Sequence, residues 1–317
     1  MNLTPFVAMF LALSTLSVGA QERVVPIKYG DMEQWVTRKI HESSIIGGNT
    51  RLLYEIAPTQ EVDGNVAYEN MGGSPWGTSN VMAKVMGIVK TNNTVYKEKR
   101  YHGYCARLET HIERMKVLGM VNITVLAAGS IFTGSVHEPI KGTKNPQKML
   151  QTGIPFTKKP VALQFDYKVK MSGRENRIRA TGFSKITDVA GKDYPAAILF
   201  LQKRWEDADG NVYAKRIGTL VTYYYHSTDW KNNATYEIMY GDITSRPEYK
   251  PHMMRLQVTE NYTVNSKGES VPIHEVGWGD ENDEPTHLYI QFTSSHGGAY
   301  IGSPGNSLWV DNVKLVY

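Results

Sequence analysis

The clearest pattern along the chain is a period of two. Between residues 161 and 171, Val161, Leu163, Phe165, Tyr167, Val169 and Met171 fall on one face, and Gln164, Asp166, Lys168 and Lys170 fall on the other. That alternation is the signature of a half-buried antiparallel strand, apolar towards a core and polar towards water or ligand. Further strands are predicted at about residues 196–205, 217–226, 235–241, 287–293 and 308–317, each rich in β-branched or aromatic residues and bounded by turn formers. Asp207–Ala208–Asp209–Gly210–Asn211 reads as a hairpin connection in which Gly210 supplies positive φ. Its spaced acids resemble the start of a calcium loop but lack the later bidentate Glu. A second hairpin is expected around Lys267 and Gly268. Helical spacing is confined to Glu109–Leu118, where Ile112, Met115, Val117 and Leu118 fall partly on one face. Loops over 137–160, 226–234 and 241–285 are where a binding surface is sought, because contacts sit on loops held by a rigid scaffold. Many strands with minor helix and long loops predict an all-β antiparallel sandwich.

The first twenty residues have a different character. An apolar run from Phe6 to Leu16 is too short to span a bilayer and ends in Ser17, Val18, Gly19 and Ala20, which reads as a signal peptide cleaved after Ala20. Residues 21–317 are then expected to form one domain, exported to the periplasm, the cell surface or beyond, with no transmembrane segment.

Composition narrows the chemistry. The net charge of +4 is dispersed along the chain, so the clustered basic surface that nucleic-acid binding needs is missing. A single cysteine, Cys105, excludes an internal disulfide and reads as a buried thiol. There is no His-Glu-x-x-His helix, no Gly-x-Ser-x-Gly elbow and no phosphate loop. A glycosidase is not excluded by those absences, because its two carboxylates converge from distant parts of a fold.

Several separated stretches, taken in order, resemble the putative carbohydrate metabolism domain of Bacteroidetes proteins. They are Asp31–Met32–Glu33–Gln34–Trp35, Trp76–Gly77–Thr78–Ser79–Asn80, the run from Ala127 to Gly134, Gly153–Ile154–Pro155–Phe156, Pro160 leading into Phe165–Asp166–Tyr167–Lys168, and the run from Asn306 to Leu315. The resemblance implies a jelly-roll-like sandwich and a glycan partner in a bacterial carbohydrate utilisation system, with no reaction attached. The reading adopted is a non-catalytic glycan-binding or glycan-handling protein. A glycoside hydrolase or polysaccharide lyase on the same scaffold is the alternative, and a surface structural or adhesion protein, with protein partners unknown, is the third class.

Sugar rings need flat aromatic platforms beside hydrogen-bonding groups. Trp76, Trp205, Trp230 and Trp278 are the platform candidates, with Tyr224 from the run Tyr223–Tyr224–Tyr225 and Asp166 as a polar companion. Aromatic residues also fill sandwich cores, so each ring has a structural reading beside the functional one. The chain also resembles jelly-roll carbohydrate-binding modules that join an N-terminal Glu strand to a C-terminal Val-Asp-Asp-Val strand around structural calcium. That likeness implies Glu33 and Asp311 as ligands, although Asn312 replaces the second acid.

Overall fold

Strand Ala162–Lys170 sits between Ser307–Val316 and Thr228–Glu237, so Leu163, Phe165 and Val169 point to one side and are buried, as their alternation requires. The computed structural model describes residues 23–117, 121–142, 144–183, 185–254 and 261–317. Two large sheets dominate. The first is eight-stranded, ordered Thr181–Gly182, Val121–Ala128, Gly103–Val117, Ser307–Val316, Ala162–Lys170, Thr228–Glu237, with Val24–Pro26 and Val95–Arg100 paired beside it. The second is ten-stranded, and its path runs Leu150–Thr152, Ser130–Val136, His287–Thr293, Ala196–Glu206, Val212–Tyr223, Ser270–Trp278, Tyr262–Val264. The chain is an antiparallel β-sandwich, with parallel pairing of Val212–Tyr223 with Ser270–Trp278 as an exception.

The core lies between the sheets. Leu163, Phe165, Val169, Leu308 and Val310 from the first meet Ala197, Leu199, Leu201, Ile290 and Phe292 from the second. Phe165 and Phe292 meet edge-on across the gap, their centroids 4.8 Å apart. Each fully buried ring or branched chain contributes roughly 1.5–3 kcal/mol, and this layer is the main cohesive term.

Small residues mark the passage between sheets. Gly129 ends Val121–Ala128 in the first sheet and precedes Ser130–Val136 in the second. A Cβ at Gly129 would collide with the Glu109 backbone nitrogen and the Thr94 carbonyl oxygen. Five residues on, Gly134 adopts φ 142°, where a Cβ would strike the Gln151 carbonyl.

Both expected hairpins form. The Asp207 carboxylate accepts from the Asp209 and Asn211 backbone N–H groups, and Gly210 has φ 89°. Gly268, at φ 78°, turns Tyr262–Val264 into Ser270–Trp278. The expected helix over Glu109–Leu118 does not form. Gly103–Val117 is one long strand, and its outer half pairs residue by residue with Val121–Ala128. Ladder bonds and a four-residue spacing that also shares a strand face outweigh a weak helical stripe. The expected loop over 226–234 is mostly the strand Thr228–Glu237. Residues 1–20, expected to be a signal peptide, and Leu118 lie outside the described residues.

Candidate functional site

The outer face of the second sheet is not solvated in the ordinary way. Register places Ser130, Thr293, Ala196 and Tyr223 in one row across four strands, and Phe132, Gln291, Ile198 and Val221 in the next. These residues point away from the core because Ile131, Phe292 and Ala197, one step along their strands, point into it. All of them but Ala196, together with Phe200 and Tyr289, floor a cleft holding about 420 Å³ of space. That size suits one small molecule or a short stretch of oligosaccharide.

One side of the cleft is aromatic and polar. Tyr223 stacks on His252 with centroids 4.2 Å apart and planes within 16°, and on its other side meets His296 at 4.6 Å. Tyr194 stacks on His296 in turn at 5.5 Å. His296 is fixed from behind. Its Nδ1 lies 2.9 Å from the Tyr194 backbone nitrogen and 3.3 Å from the Tyr194 carbonyl oxygen. Buried Asp193 lies 3.2 Å from the same Nδ1 and is itself held by the Ser295 hydroxyl and the Ser303 N–H. Asn261, Gln291, Thr293 and Ser295 add hydrogen-bonding groups to this part of the lining.

Glu113 is the one carboxylate among the described residues that line the cleft. Burial works against its charge, but the His111 Nε2 at 2.9 Å and Lys90 Nζ at 3.5 Å prevail and hold it below the usual carboxylate range. Such a group stays ionised at neutral pH and makes a poor proton donor.

On the same outer face, against the floor ring Phe200, Arg216 is fully buried. Its Nε and Nη2 donate to Glu275 at 3.0 and 2.5 Å, its Nη1 donates to the Met253 carbonyl at 3.0 Å, and its guanidinium lies 3.8 Å from the Phe200 centroid. Arg216 therefore ties a floor ring to the short 3-10 segment Pro251–Met254, which carries His252.

A second concavity opens on the outer face of the first sheet, lined by Glu33, Arg100, Asp166, Asn232, Asn233, Asp311 and Asn312 among others. Asp166 and Asp311 are direct partners on neighbouring strands, and Arg100 Nη1 donates to both, at 2.8 and 2.5 Å. Burial pushes Asp311 up to about 6 despite Arg100. Burial also opposes the charge of Asp166, but the Asn233 N–H, the Asn312 amide and Arg100 outweigh it and hold that acid low. The concavity does not fit a calcium ion. Among the described residues no group of three or more His, Cys, Asp or Glu side chains is arranged for a metal, and the Arg100 guanidinium takes the place between the acids. The Glu33 carboxylate instead accepts the Tyr104 N–H at 3.1 Å.

The family model described as "Putative carbohydrate metabolism domain" matches residues 54–316. The chain belongs to this family. Its function is accordingly carbohydrate-related. No curated protein matches the chain. Among solved structures it is similar to a protein titled a putative glycoside hydrolase from Bacteroides thetaiotaomicron, with 16% identity, a TM-score of 0.45, and coverage of 85% of this chain and 81% of that one.

In this member of the carbohydrate metabolism domain family, the residues singled out from sequence fall outside the large cleft. Trp76, 1% exposed, packs in the core with its Nε1 donating to the Lys28 carbonyl at 2.9 Å. Tyr224 is also core, 4.6 Å from the Tyr167 ring, and neither of these buried rings offers a sugar a face. Trp205 is exposed at the end of its strand, stacked on Tyr213 at 5.8 Å. Trp278 packs behind Phe200, 5.6 Å from the Arg216 guanidinium. Glu33, Asp166 and Asp311 do converge, on the second concavity, where the Trp230 ring lies 3.8 Å from the Arg100 guanidinium. Tyr223, His252, Gln291 and His296 were missed. Their signal was the apolar run Ala196–Leu201, too continuous for a strand with one wet face.

Proposed function

We propose that the chain is an exported, non-catalytic glycan-binding protein, and that the cleft on the second sheet is its binding site. The observation that carries this reading is the Tyr223–His252–His296 stack beside Gln291 and Thr293: flat rings adjoining hydrogen-bonding groups in a cleft of oligosaccharide size. Family membership supports a carbohydrate as the ligand. The predicted signal peptide supports export, with the periplasm or outer surface as destination.

Hydrolysis by a carboxylate pair is not favoured, because Glu113 has no second acid facing it in the described lining and is held ionised. If the cleft does chemistry, Tyr223 flanked by two imidazoles favours β-elimination of an acidic glycan over hydrolysis. The test is a glycan array probed with the purified protein, followed by incubation with each bound glycan. Binding without new ends supports the proposal, unsaturated ends indicate a lyase, and an array with no bound glycan contradicts the carbohydrate reading of the cleft.

A further inference from the structure

The strand order separates the cleft into two unlike sides. Tyr223 ends Val212–Tyr223, and Ser130–Val136 is separated from that strand by His287–Thr293 and Ala196–Glu206; His296, which follows His287–Thr293, reaches the Tyr223 ring. On that far side the walls are two hairpins that rise past the sheet edge, Val81–Val85 with Ile88–Asn92 and Gly103–Val117 with Val121–Ala128. Their cleft-lining residues include Ala83, Val85 and Val125, each only half-buried, with Val85 and Val125 packed on one apolar cluster, beside Lys90, Thr91, Asn92, Glu113 and Arg114; Ile198 adds an apolar group on the floor. Alternation accounts for the orientation of Ala83, since Met82 just before it packs inward against Ile40 and Leu53. At the mouth, Lys90 lies 3.0 Å from Glu42 and 3.5 Å from Glu113, so its charge is compensated.

A sugar hydroxyl set against Ala83, Val85, Val125 or Ile198 would lose water and gain no partner from those side chains. A hydrocarbon chain has the opposite preference, and each methylene it fully buries tightens binding about fourfold. Room of about 420 Å³ holds one small amphipathic ligand and excludes a folded partner.

We infer that the cleft takes a glycoconjugate whose sugar lies at the Tyr223–His296 side and whose alkyl or acyl chain lies in the aliphatic trough. This rests on the glycan-binding reading above and adds the class of substituent.

Matched methyl and octyl β-glycosides of glucose, galactose, mannose and N-acetylglucosamine, titrated calorimetrically below micelle-forming concentrations, test it. The expected result is at least tenfold tighter binding of the octyl compound in a sugar-selective manner. Val125→Thr and Ala83→Ser, which change little in shape, should cut that ratio at least threefold, while Trp205→Ala, outside the cleft, should leave it unchanged. Methyl and octyl glycosides of equal affinity would overturn the inference and leave the glycan reading standing. Octyl glycosides that bind alike whatever the sugar, and are displaced by octanoate, would mark a lipid site and overturn both. No binding by any of these glycosides would also count against both.

Discussion

Tyr223 and Tyr224 are adjacent in the chain and face opposite sides of one sheet. Tyr223 stacks on His252 in the cleft at 4.2 Å, while Tyr224 meets Tyr167 in the core at 4.6 Å. Substituting each by Ala therefore separates function from stability. Tyr223→Ala is expected to weaken glycan binding at least tenfold, a loss of about 1.4 kcal/mol or more, with little change in the unfolding midpoint. Tyr224→Ala is expected to destabilise the fold by about 3–5 kcal/mol, as truncation of a buried aromatic does. Calorimetric titration and urea unfolding of both variants check the contrast.

Arg100 is the charge that balances two buried acids. Removing it in Arg100→Met leaves Asp166 and Asp311 facing each other without compensation, and a loss of about 3–5 kcal/mol is expected. The double variant Arg100→Met/Asp311→Asn removes one of the two charges and should recover part of that loss. Calcium should not raise the melting temperature of the unaltered protein, and a calcium-dependent shift would show that the guanidinium does not hold the cation's place.

Glu55 gives the fold a pH dependence of unusual sign. It is buried, accepts from Arg38 and the Thr78 hydroxyl, and shares Arg38 with Glu138. Burial is the largest influence and pushes its carboxyl up to about 7. The folded state then binds this proton more tightly than the unfolded chain, so the Glu55 contribution falls as pH rises from about 4.5 to 7 and is level above that. Glu55→Gln should flatten this part of the stability–pH curve and stabilise the protein at pH 8 by at most about 3 kcal/mol. Urea unfolding at a series of pH values is the measurement, and an unchanged slope in the variant would rule out Glu55 as the source.

Cys105 is 1% exposed, and burial pushes its thiol up to about 12. It should be inert to a thiol reagent in the native protein at neutral pH and react with one equivalent after denaturation. Rapid native labelling would mean that its strand opens readily.

The scaffold was legible in sequence where one physical rule acts alone. Ala162–Lys170 and Ser307–Val316 alternate cleanly because one face meets the core and the other does not. The turns at Gly210 and Gly268 were readable because only a left-handed backbone needs those glycines. Gly103–Val117 was misread over its outer half because Ile112, Met115 and Val117 satisfy a helical stripe and a strand equally poorly, and its partner Val121–Ala128 decides the matter. The cleft was harder still. Alternation in Tyr223–Tyr224–Tyr225 showed that one ring faces away from its neighbours, but only packing reveals that the middle one faces the core. His252 and His296 lie 44 residues apart in number and meet through Tyr223, a convergence that no local spacing encodes. Glu33 and Asp311 did converge as the calcium likeness implied, with Asp166 beside them, but Arg100, distant in sequence, fills the place between the two aspartates.

The central claim, that the cleft holds a glycan without cleaving it, is tested most directly by one paired measurement on the purified protein and on Tyr223→Ala: affinity for glycans selected on an array, with chromatographic analysis of the same mixtures for new sugar ends. The account predicts saturable binding that falls at least tenfold in the variant and no products with either protein. Products that vanish with Tyr223→Ala would contradict it and make the cleft an active site, and binding unaffected by the substitution would place the glycan elsewhere on the molecule.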